Sequence, residues 1–536
     1  MKKISHVFII SIISVVNLVF TQNSYYEEKL TFTNGGNFGQ SFGKSTAING
    51  QDLVVSSLNK VHFYAYTDFA WEEYQQIETA VQSSYFGGNL QFDENKLFVS
   101  AQREENGKIY IYEKNGQNWV ELGIITTDDQ EVRWFGEKFH INDNLALIQA
   151  SSQPVEGEES YNIVFLYQNI EDTWQEIERF ISSNGGFGVG LSIINESKVY
   201  ISDTSYPTTY LSSGKIHVYE NYDGIWQESD LITPSLPVRG GVFGFKILQF
   251  GDWLFVSSPG KGSPYTQDPD YPGLVYVYRF ETGELVEYDV LESSDGSGLD
   301  QFGFDLAITD SMIVVSSIKD NVAGPSSGSI CIFKLGESGQ WTEYKKICPN
   351  DLESPDFFGT SVNITNEFVF SSSPFKNNIM GAVYAFDPND NSLHANFAGD
   401  VRNGNAPITV QFTSVPQGNP SAYEWDFNSD GFVDSTEPNP QFTYQIDGIY
   451  SVTLTVYDES GGDEEIKTDY IQVVSDILFG DVDQSGSLDV GDLVLFVAFV
   501  LGDAEPTKNQ FLAGDVNYSG QIDIIDIVMV IYEILG

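Results

Sequence analysis

Only two cysteines occur in 536 residues, so neither a disulfide framework nor a four-cysteine zinc site is available. Basic residues are scarce too: 26 Lys+Arg stand against 76 Asp+Glu, a formal net charge of −50. A chain this acidic repels phosphate backbones, which excludes general nucleic-acid binding. Beyond one stretch near the start, no run is long and apolar enough to span a membrane. Methionine is rare (4), whereas Gly (49), Tyr (29) and Phe (38) are abundant, a mix that favours strands and turns over helices. The 41% hydrophobic share supplies a core and excludes wholesale disorder. At roughly 100–200 residues per domain, the length suggests about three to five domains.

Lys2-Lys3, an apolar run from Val7 to Phe20 and polar Thr21-Gln22-Asn23 read as a secretory signal over residues 1–22. The run is short for a membrane span. The mature chain is expected to carry no span and to be secreted or at the cell surface after bacterial-type export. Cys331 and Cys348 fall on neighbouring predicted strands and could pair in an oxidising compartment. A hairpin turn near residues 336–340 sets Cys331 opposite roughly residue 345, so pairing requires a register offset; both states stay open.

A repeat fills the first 390 residues. A Phe-Gly pair recurs at Phe42, Phe86, Phe135, Phe187, Phe243, Phe302 and Phe358. A β-rich segment follows each, such as Leu53-Val54-Val55-Ser56-Ser57 or Ile313-Val314-Val315-Ser316-Ser317. Next comes an alternating aromatic segment, such as Lys108-Ile109-Tyr110-Ile111-Tyr112, opened by Gly107, Gly214, Gly273, Gly328 or Gly381. A fourth segment starts at Trp71, Trp119, Trp174, Trp226 or Trp341. Four short strands per unit, seven times over, predict a seven-bladed β-propeller. The seventh unit has no fourth strand of its own, and residues 25–32 form a spare strand ahead of the first Phe-Gly. That strand is expected to complete blade seven from the outside, closing the ring and covering an edge.

These repeats resemble the FG-GAP family of integrin α-subunit propellers and secreted bacterial proteins. They depart from it at the "GAP" position, which is Ser-Ser or Ser-Ala, with Pro following only at Pro259 and Pro374. No blade carries the calcium loop of integrin blades. Within the propeller the histidines fall on repeat positions or turns, and Gly324-Pro325-Ser326-Ser327-Gly328 sits in a turn rather than a strand–turn–helix elbow. No catalytic residue and no organic-cofactor site is assigned; the channel face and its loops remain candidates for a ligand.

Composition shifts after Asp390. Trp425-Asp426-Phe427, Phe442-Thr443-Tyr444 and the alternating Gly448–Tyr457 predict strands of an immunoglobulin-like sandwich. The segment resembles a PKD domain, which implies a spacer or binding module. Inside it Asp426, Asn428, Asp430 and Asp434 stand at positions 1, 3, 5 and 9 with Gly431 at 6, an oxygen-rich loop able to surround a hard cation.

The densest chemistry lies at the C-terminus. Asp481, Asp483, Ser485, Ser487, Asp489 and Asp492 occupy positions 1, 3, 5, 7, 9 and 12 of a loop with Gly486 at 6. Asp515, Asn517, Ser519, Gln521, Asp523 and Asp526 repeat the pattern with Gly520 at 6. Calcium takes six to eight oxygens, and the Gly permits the sharp turn. Two such loops predict two calcium ions, with the sandwich loop a candidate for a third. Each loop runs into an apolar stretch, Leu493–Leu501 or Ile527–Leu535, read as an exiting helix without a long entering one. The duplicated loop–helix resembles a type I dockerin, which implies calcium, a cohesin partner and attachment to a scaffold. Loop positions 10–11, often hydroxyl-bearing in that family, are Val490-Gly491 and Ile524-Ile525. A mainly apolar contact is expected there, with a partner or with the neighbouring module.

The fold class expected is mainly β: a seven-bladed propeller (23–390), a PKD-like sandwich (391–475) and a small α-helical dockerin-like domain (476–536). The function expected is exported, calcium-binding and non-catalytic, with a glycan or surface ligand on the propeller and a protein partner at the C-terminus. The alternative is a carbohydrate-active propeller in a polysaccharide-degrading assembly.

Overall fold

The structure, a computed structural model, describes residues 27–535 apart from 32–40, 68–69, 80, 82–83, 153–159, 205–212, 239, 261–270, 391, 417, 419, 460, 475–479, 515 and 517–521. The signal segment lies outside them. Two compact units divide the chain: residues 1–398, 413–422 and 456–464, and residues 399–412, 423–455 and 465–536.

In the first unit each Phe-Gly repeat forms one antiparallel sheet, seven among the described residues, and in all but the seventh the strands follow one another in sequence. Blade one runs Thr46–Asn49, Asp52–Ser57, Lys60–Thr67 and Ala70–Glu78. Blade three adds the short Val132–Arg133 strand. The second strand of each blade is apolar on both faces because blades cover it from both sides; Leu53, Val54 and Val55 are all fully buried. The fourth strand is outermost; in blade one its exposed residues are Glu72, Gln76 and Glu78, whereas in blade two Val120, Leu122 and Ile124 are exposed.

Seven apolar clusters hold the ring, each shared by consecutive blades. The one that closes it joins Phe370, Val383 and Ala385 of blade seven to Leu53, Val55, Tyr64 and Trp71 of blade one. Leu30 belongs to the same cluster. Its strand, Glu27–Thr31, pairs antiparallel with Ala382–Phe386, Leu30 opposite Val383, as the outer strand of blade seven. The closure expected from the sequence is therefore present.

The repeat's signature residues form a latch between blades. The Phe135 N–H donates to Asn106 O (2.9 Å), Phe302 N–H to Pro272 O (2.8 Å) and Phe358 N–H to Ser327 O (2.9 Å), each acceptor preceding the glycine that opens the previous blade's third strand. At ring closure the pair is Phe42 and Gly381, where a Cβ on Gly381 (φ +88°) would stand 2.1 Å from the Phe42 carbonyl oxygen. Only glycine fits that approach. The second glycine of the motif faces the neighbouring blade's serine: a Cβ on Gly43 would lie 2.9 Å from Ser372 Cβ. The small Ser at the "GAP" position thus makes room for the adjacent Phe-Gly turn. Its hydroxyl is used as well, since Ser372 Oγ accepts from Ser361 N (3.0 Å) and Ser257 Oγ from Lys246 N (3.0 Å).

Cys331 pairs across the sheet with Lys346, one residue from the expected position. The two cysteines are not joined in a disulfide; Cys331 is buried and Cys348 half-buried. Burial pushes the Cys331 thiol far up, so it behaves as an apolar core residue.

A single helical turn, α1 (Lys376–Ile379), lies in blade seven. The sandwich then forms two sheets. One orders Phe397–Gly399, Ile408–Ser414 and Gln441–Tyr444; the other orders Asn403–Asn405, Gly461–Val474, Gly448–Asp458 and Ala422–Asp426. Phe412, Trp425 and Phe427 stack within its core. The 14-residue strand Gly461–Val474 is absent from the sequence reading. Its first half alternates charge with charge and has no apolar face to announce it.

The C-terminal segment has α2 (Val490–Leu501), α3 (Lys508–Gly514) and α4 (Ile524–Leu535). The helix that precedes the second loop, α3, has only seven residues, in keeping with the reading of loops without a long entering helix. Val482, Phe496, Ala513, Ile527 and Val530 form the core, so twin positions of the two repeats face each other.

Candidate functional site

In the first calcium-type loop, backbone donors already organise the carboxylates. Asp481 Oδ1 accepts from Ser485 N (2.9 Å) and Oδ2 from Gly486 N (2.7 Å). Asp483 Oδ1 accepts from the same Ser485 N (3.0 Å). The turn requires left-handed backbone at Gln484 (φ +59°) and Gly486 (φ +83°). Asp492 sits fully buried on the first turn of α2, taking Asp483 N (3.1 Å) on Oδ1 and Asp489 N (2.9 Å) on Oδ2. Asp489 caps α2, its Oδ1 accepting from Gly491 N (2.6 Å). One ligand oxygen from each of Asp481, Asp483 and Asp492 lies within 4.8 Å of the others. Ser485 and Ser487 lie on the exposed side, linked by Ser485 Oγ to Ser487 O (3.1 Å). Burial and the neighbouring Asp483 and Asp481 charges push the Asp492 carboxyl up, whereas the Ser485 hydrogen bonds hold Asp483 down. Three convergent carboxylates with no nitrogen or sulfur donor suit a hard dication, which would relieve their repulsion.

Of the second loop, Asp515, Asn517, Ser519 and Gln521 lie outside the described residues. Asp523 and Asp526 repeat the first loop's geometry: Asp526 is fully buried and its Oδ2 accepts from Asp523 N (2.9 Å).

The sandwich loop folds on the same plan. Asp426 Oδ1 accepts from Asp430 N (3.3 Å) and Oδ2 from Gly431 N (2.8 Å); Asn428 Oδ1 also accepts from Asp430 N (3.0 Å). Ser429 (φ +56°) and Gly431 (φ +81°) match Gln484 and Gly486. Asp434 instead turns one oxygen to Phe427 N (2.8 Å). Among the described residues, Asp426, Asp430 and Asp434 do not converge as tightly as the C-terminal trio.

Two further places carry chemical interest, the first absent from the sequence reading and the second expected there only as a channel face without named residues. One is a buried Ser57–His62–Glu73 row, with Ser57 Oγ 2.8 Å from His62 Nε2 and His62 Nδ1 3.0 Å from Glu73 Oε1. Both Ser57 and His62 are buried, and His217 with Glu228 (3.2 Å) repeats the latter half in blade four. That repetition marks a packing position between blades. The other is the channel, a cavity of about 810 Å³. At one level it is ringed by the residue three after each motif Phe: Ser45, Asn89, Lys138, Gly190, Lys246, Asp305 and Ser361. Counting three residues on from each Phe-Gly would have found this collar.

Profiles of three known domains match the chain: FG-GAP repeat over residues 286–333, PKD domain over 394–473 and dockerin type I domain over 479–535. The chain carries these three kinds of domain, each where the motifs place it. No curated protein matches it. Among solved structures, the PKD1 domain of the Vibrio cholerae metalloprotease PrtV is 33% identical over 16% of this chain and 99% of that one, with TM-score 0.14. A functionally unknown protein from Desulfotomaculum acetoxidans is 12% identical over 73% of this chain and 97% of that one (TM-score 0.40). The β-propeller domain of the trilobed protease from Pyrococcus furiosus is 11% identical over 64% and 92% (TM-score 0.37). Among the described residues no helix is long and apolar enough to cross a membrane.

Proposed function

We propose that this is an exported, calcium-binding, non-catalytic attachment protein of three modules: a propeller (23–390) that presents a ligand surface, a PKD spacer (391–475) and a dockerin module (476–536) that docks to a cohesin-type partner. The dockerin match supports calcium and a protein partner in general. Two ions are assigned to the C-terminal loops, held by Asp481, Asp483, Ser485, Ser487, Asp489 and Asp492 and by Asp515, Asn517, Ser519, Gln521, Asp523 and Asp526. A third is assigned to Asp426, Asn428, Asp430 and Asp434. Bound calcium would supply rigidity, fixing each loop against the helix that follows it.

The observation that carries the docking reading is a matched pair of exposed apolar residues on each repeat. Val490 and Val494 are 67% and 68% exposed on α2, and Ile524 and Val528, at the same loop positions, are 63% and 45% exposed on α4. Aliphatic side chains this open on two related helices suit an apolar partner surface. The partner-facing contact is therefore mainly hydrophobic. Capture on an immobilised cohesin panel tests this, using the full chain with calcium and with chelator. Expected is calcium-dependent retention that the double variant Val490→Glu, Ile524→Glu abolishes. Retention unchanged by that variant would remove the assignment of the surface; no retention by any cohesin would remove the assignment of the partner.

A further inference from the structure

The propeller channel gathers positive charge in a chain whose sum is −50. Its lining includes Lys44, Lys138 and Lys246 but only Glu137 and Asp305 as acids. Lys246 is paired, its Nζ 2.7 Å from Asp305 Oδ1. Among the described residues, Lys44 and Lys138 have no carboxylate within ion-pair distance. The Lys44 ammonium lies 4.5 Å from the Tyr85 ring centre, and the Arg103 guanidinium lies 4.0 Å from the same ring. Burial, then the Lys138 and Arg103 charges, hold Lys44 below the ordinary lysine value against the opposing Glu137; burial and Lys246 do the same to Lys138 against Asp305 and Glu137. Lys138 remains open to water although protein surrounds it, as expected of a side chain projecting into a channel. Three lysines thus share the cavity with two carboxylates, one of them already paired, so an anion entering the channel would meet net positive charge.

The remaining lining sets the size and character of such an anion. The cavity's volume falls within the usual range for a small-molecule site and exceeds what an inorganic ion would fill. Ser45 and Gln102 line the same cavity; the Ser45 hydroxyl accepts from Leu90 N (3.2 Å) and keeps its own proton to donate, and the Gln102 amide both donates and accepts, chemistry suited to hydroxyl groups.

We propose that the channel is a binding site for a small polyhydroxylated carboxylate, the chemistry of a sugar acid, with Lys44 and Lys138 on the carboxylate and Ser45 and Gln102 on the hydroxyls. The proposal rests on the reading of the propeller as a ligand-presenting scaffold and names its ligand class.

Saturation-transfer NMR on the calcium-loaded full chain tests it, with glucuronate as probe and glucose as the neutral control of the same ring. Transfer to glucuronate and not to glucose is expected, weakening as ionic strength rises from about 50 to 500 mM. Lys138→Met should weaken glucuronate binding at least about tenfold, the scale of one charge-assisted hydrogen bond, whereas Lys138→Arg retains it. Lys138 is exposed and unpaired, so Lys138→Met leaves the thermal transition in place; Lys44→Met is the second variant. Equal transfer to both sugars, transfer to neither, or glucuronate binding unchanged by both Met substitutions would overturn the channel site. A glycan array on the same protein separates the readings: array binding without the lysine dependence leaves the scaffold role standing, and an array with no binding removes both.

Discussion

Gly381 and Phe42 meet so closely that the absent Cβ of one would stand 2.1 Å from the carbonyl oxygen of the other. The contact joins the last blade to the first, and the Phe42 N–H donates to Met380 O (3.1 Å) beside it. The same latch recurs between other blades, but here it also closes the ring, so its loss has no sequence-local substitute.

Gly381→Ala is therefore expected to destabilise the propeller by about 3 kcal/mol, combining left-handed strain with overpacking. Gly283→Ala isolates the strain alone, because Gly283 (φ +90°) has open space around its missing Cβ; about 1–2 kcal/mol is expected. Urea unfolding of both variants checks the difference.

Leu30 is 2% exposed within the closing cluster. Leu30→Ala should cost about 2–5 kcal/mol, as for other buried leucines. A loss below about 0.5 kcal/mol by denaturant unfolding would mean that the first strand does not hold blade seven.

Acid should weaken the propeller through His140. Burial, with Lys246 nearby, lowers this imidazole to about 4, and its Nδ1 accepts from Ile193 N (3.2 Å). In the unfolded chain it titrates near 6.5. Its contribution is thus full above pH 6.5 and is lost as pH falls toward 4, by up to about 3 kcal/mol. Asp300 acts oppositely, since burial and Asp320 raise it to about 6 and charging it costs stability. Unfolding of wild type and His140→Asn at pH 7 and 4.5 separates them: the variant should lose less stability over that interval.

Calcium titration by calorimetry of chelator-stripped protein should report three ions. Asp481→Ala, Asp515→Ala and Asp426→Ala should each lower the count by one. A count unchanged in Asp426→Ala would assign the sandwich loop to turn formation alone.

Legibility followed periodicity. The Phe-Gly spacing, the aromatic third strands and the spare strand at 25–32 gave the blades and their closure, because each repeat imposes one pattern on one set of neighbours. The calcium-type loops were equally open to reading, since oxygen donors must fall at fixed offsets around a glycine. What stayed hidden depends on places where separate repeats converge. Lys138 and Lys246 look like solvated charges until seven inner strands bring them to one level. Ser57, His62 and Glu73 look unrelated until adjacent strands align them. Gly461–Val474 was hidden for another reason: a strand whose first half is charged has no apolar alternation to detect.

The strand that seals blade seven is the first described part of the chain to be synthesised, and its partner, Ala382–Phe386, is among the last parts of the propeller. Until that partner arrives, Leu30 has no sheet to enter and both edges of the unfinished ring stay open to other chains. The order of synthesis therefore makes ring closure a late event, completed as the sandwich and the C-terminal module emerge. A chain cut short before Ala382 would leave its first strand and its blade-one face exposed together, marking it as an aggregation-prone fragment.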